Sequence, residues 1–260
     1  MCCRYLLLRE NLRDLLARLG MPDEEGDVGY FADRYNMAPC ARVPVVRRRA
    51  ARVRGGVRAL GSDRGRGRER EWECVSMVWN FGVAAESGAR VARPADAIRR
   101  SVLLNARAES LWEKPAFREA ARGRRCLIPA SGFYEWARVG RARLPWLFQL
   151  REAEPFFLAG IWEGDGCAIV TTEPNELMRP VHGRMPAIIA VEDAGAWLDG
   201  EGGDGKRARL LLAPFATGRM AARRVSRFVN DARNEGVACV GAGEWDDGRE
   251  NEADMLPLFG

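Results

Sequence analysis

Histidine is scarce here, and that scarcity narrows the available chemistry. His182 is the single imidazole in 260 residues, so any acid–base step near neutrality that needs an imidazole must use it. The seven cysteines stand at positions 2, 3, 40, 74, 126, 167 and 239. Their number is odd and no two are spaced by two to four residues, which argues against a zinc site and against a disulfide framework. No metal and no other cofactor is expected. Long apolar runs are missing as well. The opening MCCRYLLLRENLRD holds only about four apolar residues in a row before charge returns, too few for a signal peptide or a membrane span. A reducing, intracellular setting is expected: cytoplasm or nucleoid in a bacterium, nucleus in a eukaryote. Most cysteines then read as small buried hydrophobes.

What is present is enough apolar material for one core. Hydrophobic residues make up 47% of the chain, and this length is compatible with a single domain. Lys and Arg outnumber Asp and Glu by 41 to 36, a net charge of +5. So mild a surplus helps phosphate binding but is shared by many enzymes that never meet nucleic acid.

Along the chain, NLRDLLARLG (11–20) places Leu12, Leu15, Leu16 and Leu19 on one stripe and predicts a short amphipathic helix, capped by Asn11 and closed by Gly20. Pro39 and Pro44 forbid helix in RYNMAPCARVPVVR (34–47), whose Val-rich end reads as extended. The Gly- and charge-rich run 61–70 reads as a solvated insertion. Val75, Met77 and Trp79 alternate as in a strand, and 110–125 turns helical. Four short apolar runs between 126 and 173 read as strands. Residues 174–191 predict a turn ended by Pro180, a loop holding His182 and Arg184, and one more strand. Helix is expected near 192–199 and 207–222, then a polar and acidic end. The pattern predicts an α+β fold, a single domain with a mainly antiparallel, barrel-like sheet and flanking helices over residues 1–235, followed by a polar, acidic tail, 236–260. A monomer is expected.

The N-terminus offers distinctive chemistry. Removal of Met1 would leave Cys2 with a free α-amino group and a thiol on neighbouring carbons. An α-amino group has an ordinary pKa of about 7.7–8.0, so part of it is neutral near physiological pH and can attack an aldehyde. The thiolate can then close on the imine to give a thiazolidine, which resists hydrolysis. A ring-opened abasic deoxyribose is such an aldehyde. From Cys2 and Cys3 alone, burial in a first strand is the commoner reading.

Four segments in order, MCCRY, RYNMAPCARVPVVR, NARAESLWEKPAFREAARGRRCLIPASGFYEW (105–136) and TTEPNELMRPVHGRMP (171–186), resemble the SOS response-associated peptidase (SRAP) family. The resemblance implies a mixed α+β fold around a barrel-like sheet, loss of Met1, and a stable DNA–protein crosslink at abasic sites in single-stranded DNA, which protects the site during DNA repair. It carries the nucleophile onto Cys2 and supporting polar groups onto Asn105, Glu135 and His182. Asn105 can both donate and accept, and an ordinary loop amide is its plainer reading. Glu135 sits among aromatics, where loss of water raises a carboxyl pKa toward a range useful for proton transfer. Arg4, Arg107 and Arg184 match positions that face DNA, where guanidinium forks suit phosphate oxygens; each could equally be an ion-paired surface arginine. Trp79 and Trp136 offer ring faces for base stacking, core packing being equally consistent with each. Two departures stand out: Cys3 replaces the family's usual Gly, and Asn80-Phe81 replaces Gly-Leu after Trp79. Competing readings are a thiol peptidase built on Cys2, His182 and Glu135, and a non-covalent single-strand binder with strong salt dependence.

Overall fold

The computed structural model describes residues 3–21, 31–49, 72–82, 103–199 and 205–242. Cys2, the 61–70 insertion and residues 243–260 of the expected tail lie outside the described residues.

The chain forms two sheets around a shared core. Strands β1 (Tyr5–Leu7) and β2 (Arg34–Met37) flank helix α1 (Arg9–Arg18). β3 (Arg42–Arg48), β4 (Trp72–Val78) and β5 (Asn105–Arg107) lead to helix α2 (Arg118–Gly123). Then come β6 (Arg125–Ala130), β7 (Gly132–Val139), β8 (Ala142–Leu150), β9 (Phe156–Glu163) and β10 (Gly166–Thr172). Short strands β11 (Met185–Pro186) and β12 (Ile188–Ile189), helices α3 (Ala194–Leu198) and α4 (Lys206–Leu210), and β13 (Met220–Arg224) complete the order.

One sheet runs β13-β8-β7-β1-β2 and is antiparallel throughout. The other runs β11-β10-β4-β3-β6-β9-β12, and a further β10–β9 pairing closes its middle into a ring. Its parallel contacts are those of β10 with β4 and β5. The expected α+β, mainly antiparallel architecture is therefore what the chain adopts. Every residue of β6 is buried, because one face looks into the core and the other is covered by helices. Trp197 of α3 donates its indole N–H to the Cys126 carbonyl at 2.7 Å. The buried guanidinium of Arg125 donates to the carbonyls of Ala121, Trp197 and Asp199, stapling α2 and α3 to β6 without a carboxylate.

Several local expectations change. α1 buries Leu12, Leu15 and Leu16 as the stripe requires and ends at Gly20, whose φ of +68° suits a residue without a side chain. It starts earlier than expected, however, and Asn11 is no cap: its amide donates to Ser131 Oγ at 2.9 Å, tying α1 to the β6–β7 corner. Helix in 110–125 is confined to Arg118–Gly123, since Pro115 blocks the ladder upstream. Residues 220–224, expected as helix, form β13 along β8. Pro214 and Gly218 end the helical stretch, and the edge of β8 then recruits the chain beyond them as a strand. Residues 236–242, expected in the tail, fold back on the domain. Cys239 is fully buried and Ser226 N–H donates to the Gly241 carbonyl at 2.9 Å.

Candidate functional site: the open end of β1 and β7

The site begins with strand register. Tyr5 lies opposite Phe133 and Leu6 opposite Gly132, and Tyr134 N–H donates to the Arg4 carbonyl at 3.0 Å. Carried back one more pair, the register sets Cys3 across from Glu135. Gly132, the glycine of GFYEW, is needed for this approach: a side chain there would meet Gln149, Leu147 and Leu6 atoms at 2.9–3.0 Å. On its other side Glu135 is paired with Trp146 of β8. Directly opposed residues of a ladder share a face, so the carboxyl stands between a thiol and an indole.

That placement explains its acidity. Glu135 is 3% exposed, and burial raises its pKa to about 7, against the pull of the positive amino terminus and of the Trp136 N–H it accepts. Burial also pushes the Cys3 thiol up, with the amino terminus lowering it and Glu135 raising it. The same positive terminus acts on His182, whose pKa is lowered chiefly by burial. Glu135 on β7 and His182 in the loop before β11 therefore answer to one charge.

A cavity of about 240 Å³ opens beside these groups, lined by Cys3, Arg4, Trp136, Arg143 and Asn230. Arg4 donates to Asn36 Oδ1 at 2.8 Å and to the Val229 carbonyl at 3.0 Å, and its guanidinium lies 5.8 Å from the Trp136 ring centre. Trp136 donates its indole N–H to Asn230 Oδ1 at 2.6 Å. Asn36, 1% exposed, also donates to the carbonyls of Asp231 and Asn234, each at 2.9 Å. One buried amide thus fixes both Arg4 and the turn that supplies the far wall.

His182 comes after a tight turn that Asn175 organises by accepting from Met178 N–H at 2.9 Å and donating to the Phe215 carbonyl at 2.9 Å. Arg184 N–H lies 3.1 Å from His182 Nδ1. The Arg184 carbonyl lies 3.1 Å from the same Nδ1, so Nδ1 accepts from the amide in one neutral tautomer and donates to the carbonyl in the other. Asn105 begins β5, in parallel register with Ile169 of β10. It succeeds Leu104, whose carbonyl takes the Trp79 indole N–H at 3.0 Å, while the Trp79 ring packs edge-on against Tyr5 of β1. Arg107 is exposed on β5.

The structure therefore brings Arg4, Glu135 and Trp136 to one strand end beside Cys3. Two DNA-facing expectations need correction. Trp79 is fully buried and offers no ring face for a base. Arg184 is engaged by a two-pronged contact with Glu109 at 2.7 and 2.9 Å and by the Thr171 carbonyl at 2.6 Å, so its fork is closed to phosphate in this state. Sequence pattern assigned no role to Asn36, Glu109 or Asn175, although all three lie inside the quoted motifs. Arg143 and Asn230 lie outside every motif and reach the site only through the β7–β8 hairpin and the fold of the C-terminal turn.

A mainly antiparallel α+β protein, whose first strand delivers a thiol segment to a buried carboxyl and a cationic, indole-lined cavity, is the class that fold and site define. The model of the SOS response associated peptidase (SRAP) family matches residues 1–232, and the chain belongs to that family. Abasic site processing protein YoqW of Bacillus subtilis is 39% identical over 142 residues, covering 51% of this chain and 63% of that protein. YoaM of the same organism, of the same description, is 37% identical over 150 residues (54% and 66%). The Gallus gallus abasic site processing protein HMCES is 28% identical over 166 residues (52% and 49%). The chain thus spans less than two thirds of these relatives' length. A solved protein from Bacteroides thetaiotaomicron superposes with a TM-score of 0.65 at 24% identity, over 88% of this chain and 96% of that one. One from Bordetella bronchiseptica gives 0.60 at 22%, over 86% and 100%. At such identities the likeness concerns the fold alone.

Among the described residues, no helix is long and apolar enough to cross a membrane.

Proposed function

We propose that this protein captures abasic sites in single-stranded DNA as a covalent crosslink through Cys2 after loss of Met1. Family membership and the abasic-site names of its relatives support the reading. The observation that carries it is Glu135, a buried carboxyl with a pKa of about 7 on the strand pairing that leads to the N-terminus.

The neutral Cys2 amine adds to the aldehyde carbon of the ring-opened sugar, and the hydroxyl so formed leaves as water to give an imine. The Cys2 thiolate then adds to the imine carbon while the nitrogen takes up a proton, closing the thiazolidine. A group that is near half-protonated at neutral pH serves both proton movements, giving one to the departing hydroxyl and accepting one from the amine. That is the role of Glu135. The neutral His182 ring assists sugar opening through Nε2, and the Asn105 amide orients the amine or sugar. Arg4 and Trp136 face the strand from the cavity, with exposed Arg107 a further phosphate contact. A DNA target implies an intracellular protein.

The same constellation can remove Met1. Glu135 and His182 supply the acid–base groups that hydrolysis of the Met1–Cys2 bond requires, in keeping with the family's peptidase title.

Intact mass spectrometry after incubation with an abasic oligonucleotide tests the reading. The expected species is the chain without Met1 plus one oligonucleotide, less one water, and it is absent for Cys2→Ala. A normal adduct yield in that variant, or in protein with a blocked amino terminus, would overturn it.

A further inference from the structure

The turn beyond the cavity holds an aromatic that the capture chemistry does not use. Phe228 is 42% exposed, on a short 3-10 segment, Arg227–Asn230. Its surroundings are braced from many sides. Phe228 N–H donates to Ser226 Oγ at 3.1 Å, and its carbonyl accepts from Asn234 Nδ2 at 2.7 Å. The next two residues are tied to Arg4 and to Trp136. Asn230 also donates to the Arg143 carbonyl at 3.4 Å. On a turn held this way Phe228 stays partly open to solvent, two residues from Asn230 of the cavity wall.

The charge beside it is positive. Asp231 is paired with Arg233 at 2.6 Å and Glu235 with Arg34 at 2.8 Å, so the turn's carboxylates are already neutralised. Arg143 is exposed and lines the cavity together with Asn230 of that turn. A partly exposed aromatic on the turn that supplies Asn230, and a solvent-facing guanidinium on the same cavity as Asn230, match a single-stranded nucleic acid, whose bases are free to stack and whose phosphates need cations.

We propose that Phe228 is a stacking platform for a base flanking the captured sugar, with Arg143 contacting the intervening phosphate. The occupant rests on the capture reading above, but the subsite can be measured without covalent chemistry. The probe is a single strand carrying a tetrahydrofuran abasic analogue, which has no aldehyde. Phe228→Ala is expected to weaken its binding roughly tenfold, Phe228→Trp to retain it, and Phe228→Leu to behave like the alanine variant, with unchanged thermal midpoints. Arg143→Ala is expected to lower the slope of log affinity against log salt by about 0.7. Wild-type affinity in Phe228→Ala, or in Phe228→Leu, would overturn the subsite. Complete failure of the wild-type protein to crosslink would instead sink the capture reading, with the analogue still reporting on Phe228.

Discussion

Two regions of this molecule carry the same kinds of polar side chain and use them in opposite ways. Around His182 the groups satisfy one another: Arg184 grips Glu109 and Thr171, His182 Nδ1 meets the Arg184 backbone, and Asn175 ties the turn to residue 215. At the end of β1 and β7 the bracing is done from behind by Asn36, leaving Arg4, Trp136 and Arg143 to line open space. The two tryptophans divide in the same way, Trp79 buried against Tyr5 and Trp136 at the cavity wall. An arginine or tryptophan in a motif therefore has no role until its neighbours are known: the first region builds a loop, the second presents a surface.

The sharpest way to break this contrast is to truncate the two indoles. Trp79→Ala should cost about 3–5 kcal/mol of stability, because a fully buried ring leaves a cavity and the Leu104 carbonyl keeps only the Ile169 N–H as donor. Trp136→Ala should cost under about 1 kcal/mol while weakening single-strand binding. Urea unfolding of both variants decides it, and equal losses would erase the distinction.

The next test uses pH. The folded pKa of Glu135, about 7, lies above the ordinary 4.5, so the fold favours the protonated carboxyl. That contribution is complete below about pH 4.5 and is lost as pH rises through about 7. Over this window the wild type should lose stability relative to Glu135→Gln, on the order of 3 kcal/mol. Unfolding curves at pH 5 and pH 8 should therefore diverge, with the glutamine variant the more stable at pH 8. Parallel behaviour would mean that the carboxyl is solvated and ill suited to proton transfer at neutrality.

The smallest effect concerns the brace. Asn36→Ala should lower stability by about 2 kcal/mol, since it strips partners from Arg4 and from the carbonyls of Asp231 and Asn234. It should also weaken strand binding, whereas Asn175→Ala should lower stability without that loss of affinity. Both are read from a denaturant titration paired with fluorescence anisotropy. Similar affinity losses in the two variants would show that bracing of the cavity is not special.

Much of this was legible in the chain. The leucine stripe of α1, the strand runs between 126 and 173 and the turn before His182 arise from periodicity and from Pro and Gly placement, which act over a few residues. Glu135 could be suspected from FYEW because aromatic neighbours along a strand foretell loss of water. The fate of residues 220–224 was not legible, since an edge strand is decided by the vacancy beside β8, not by its own pattern. Nor were Arg143, which the β7–β8 hairpin brings beside Trp136, and Asn230, which meets Trp136 across 94 positions.

By itself, then, the sequence determined the chemistry on offer: an aminothiol segment, one imidazole, one carboxyl among aromatics, and the ordered motifs of a family. Tertiary structure alone decided which groups remain available, because availability depends on what already occupies each donor and acceptor. Arg184 has its acceptors and Trp79 its packing partners from other strands, while Glu135 owes its raised pKa to a register that sets it between Cys3 and Trp146. Arg184 with Glu109, Trp79 with Tyr5 and Glu135 with Cys3 each join residues more than seventy positions apart, and short-range pattern carries no record of them.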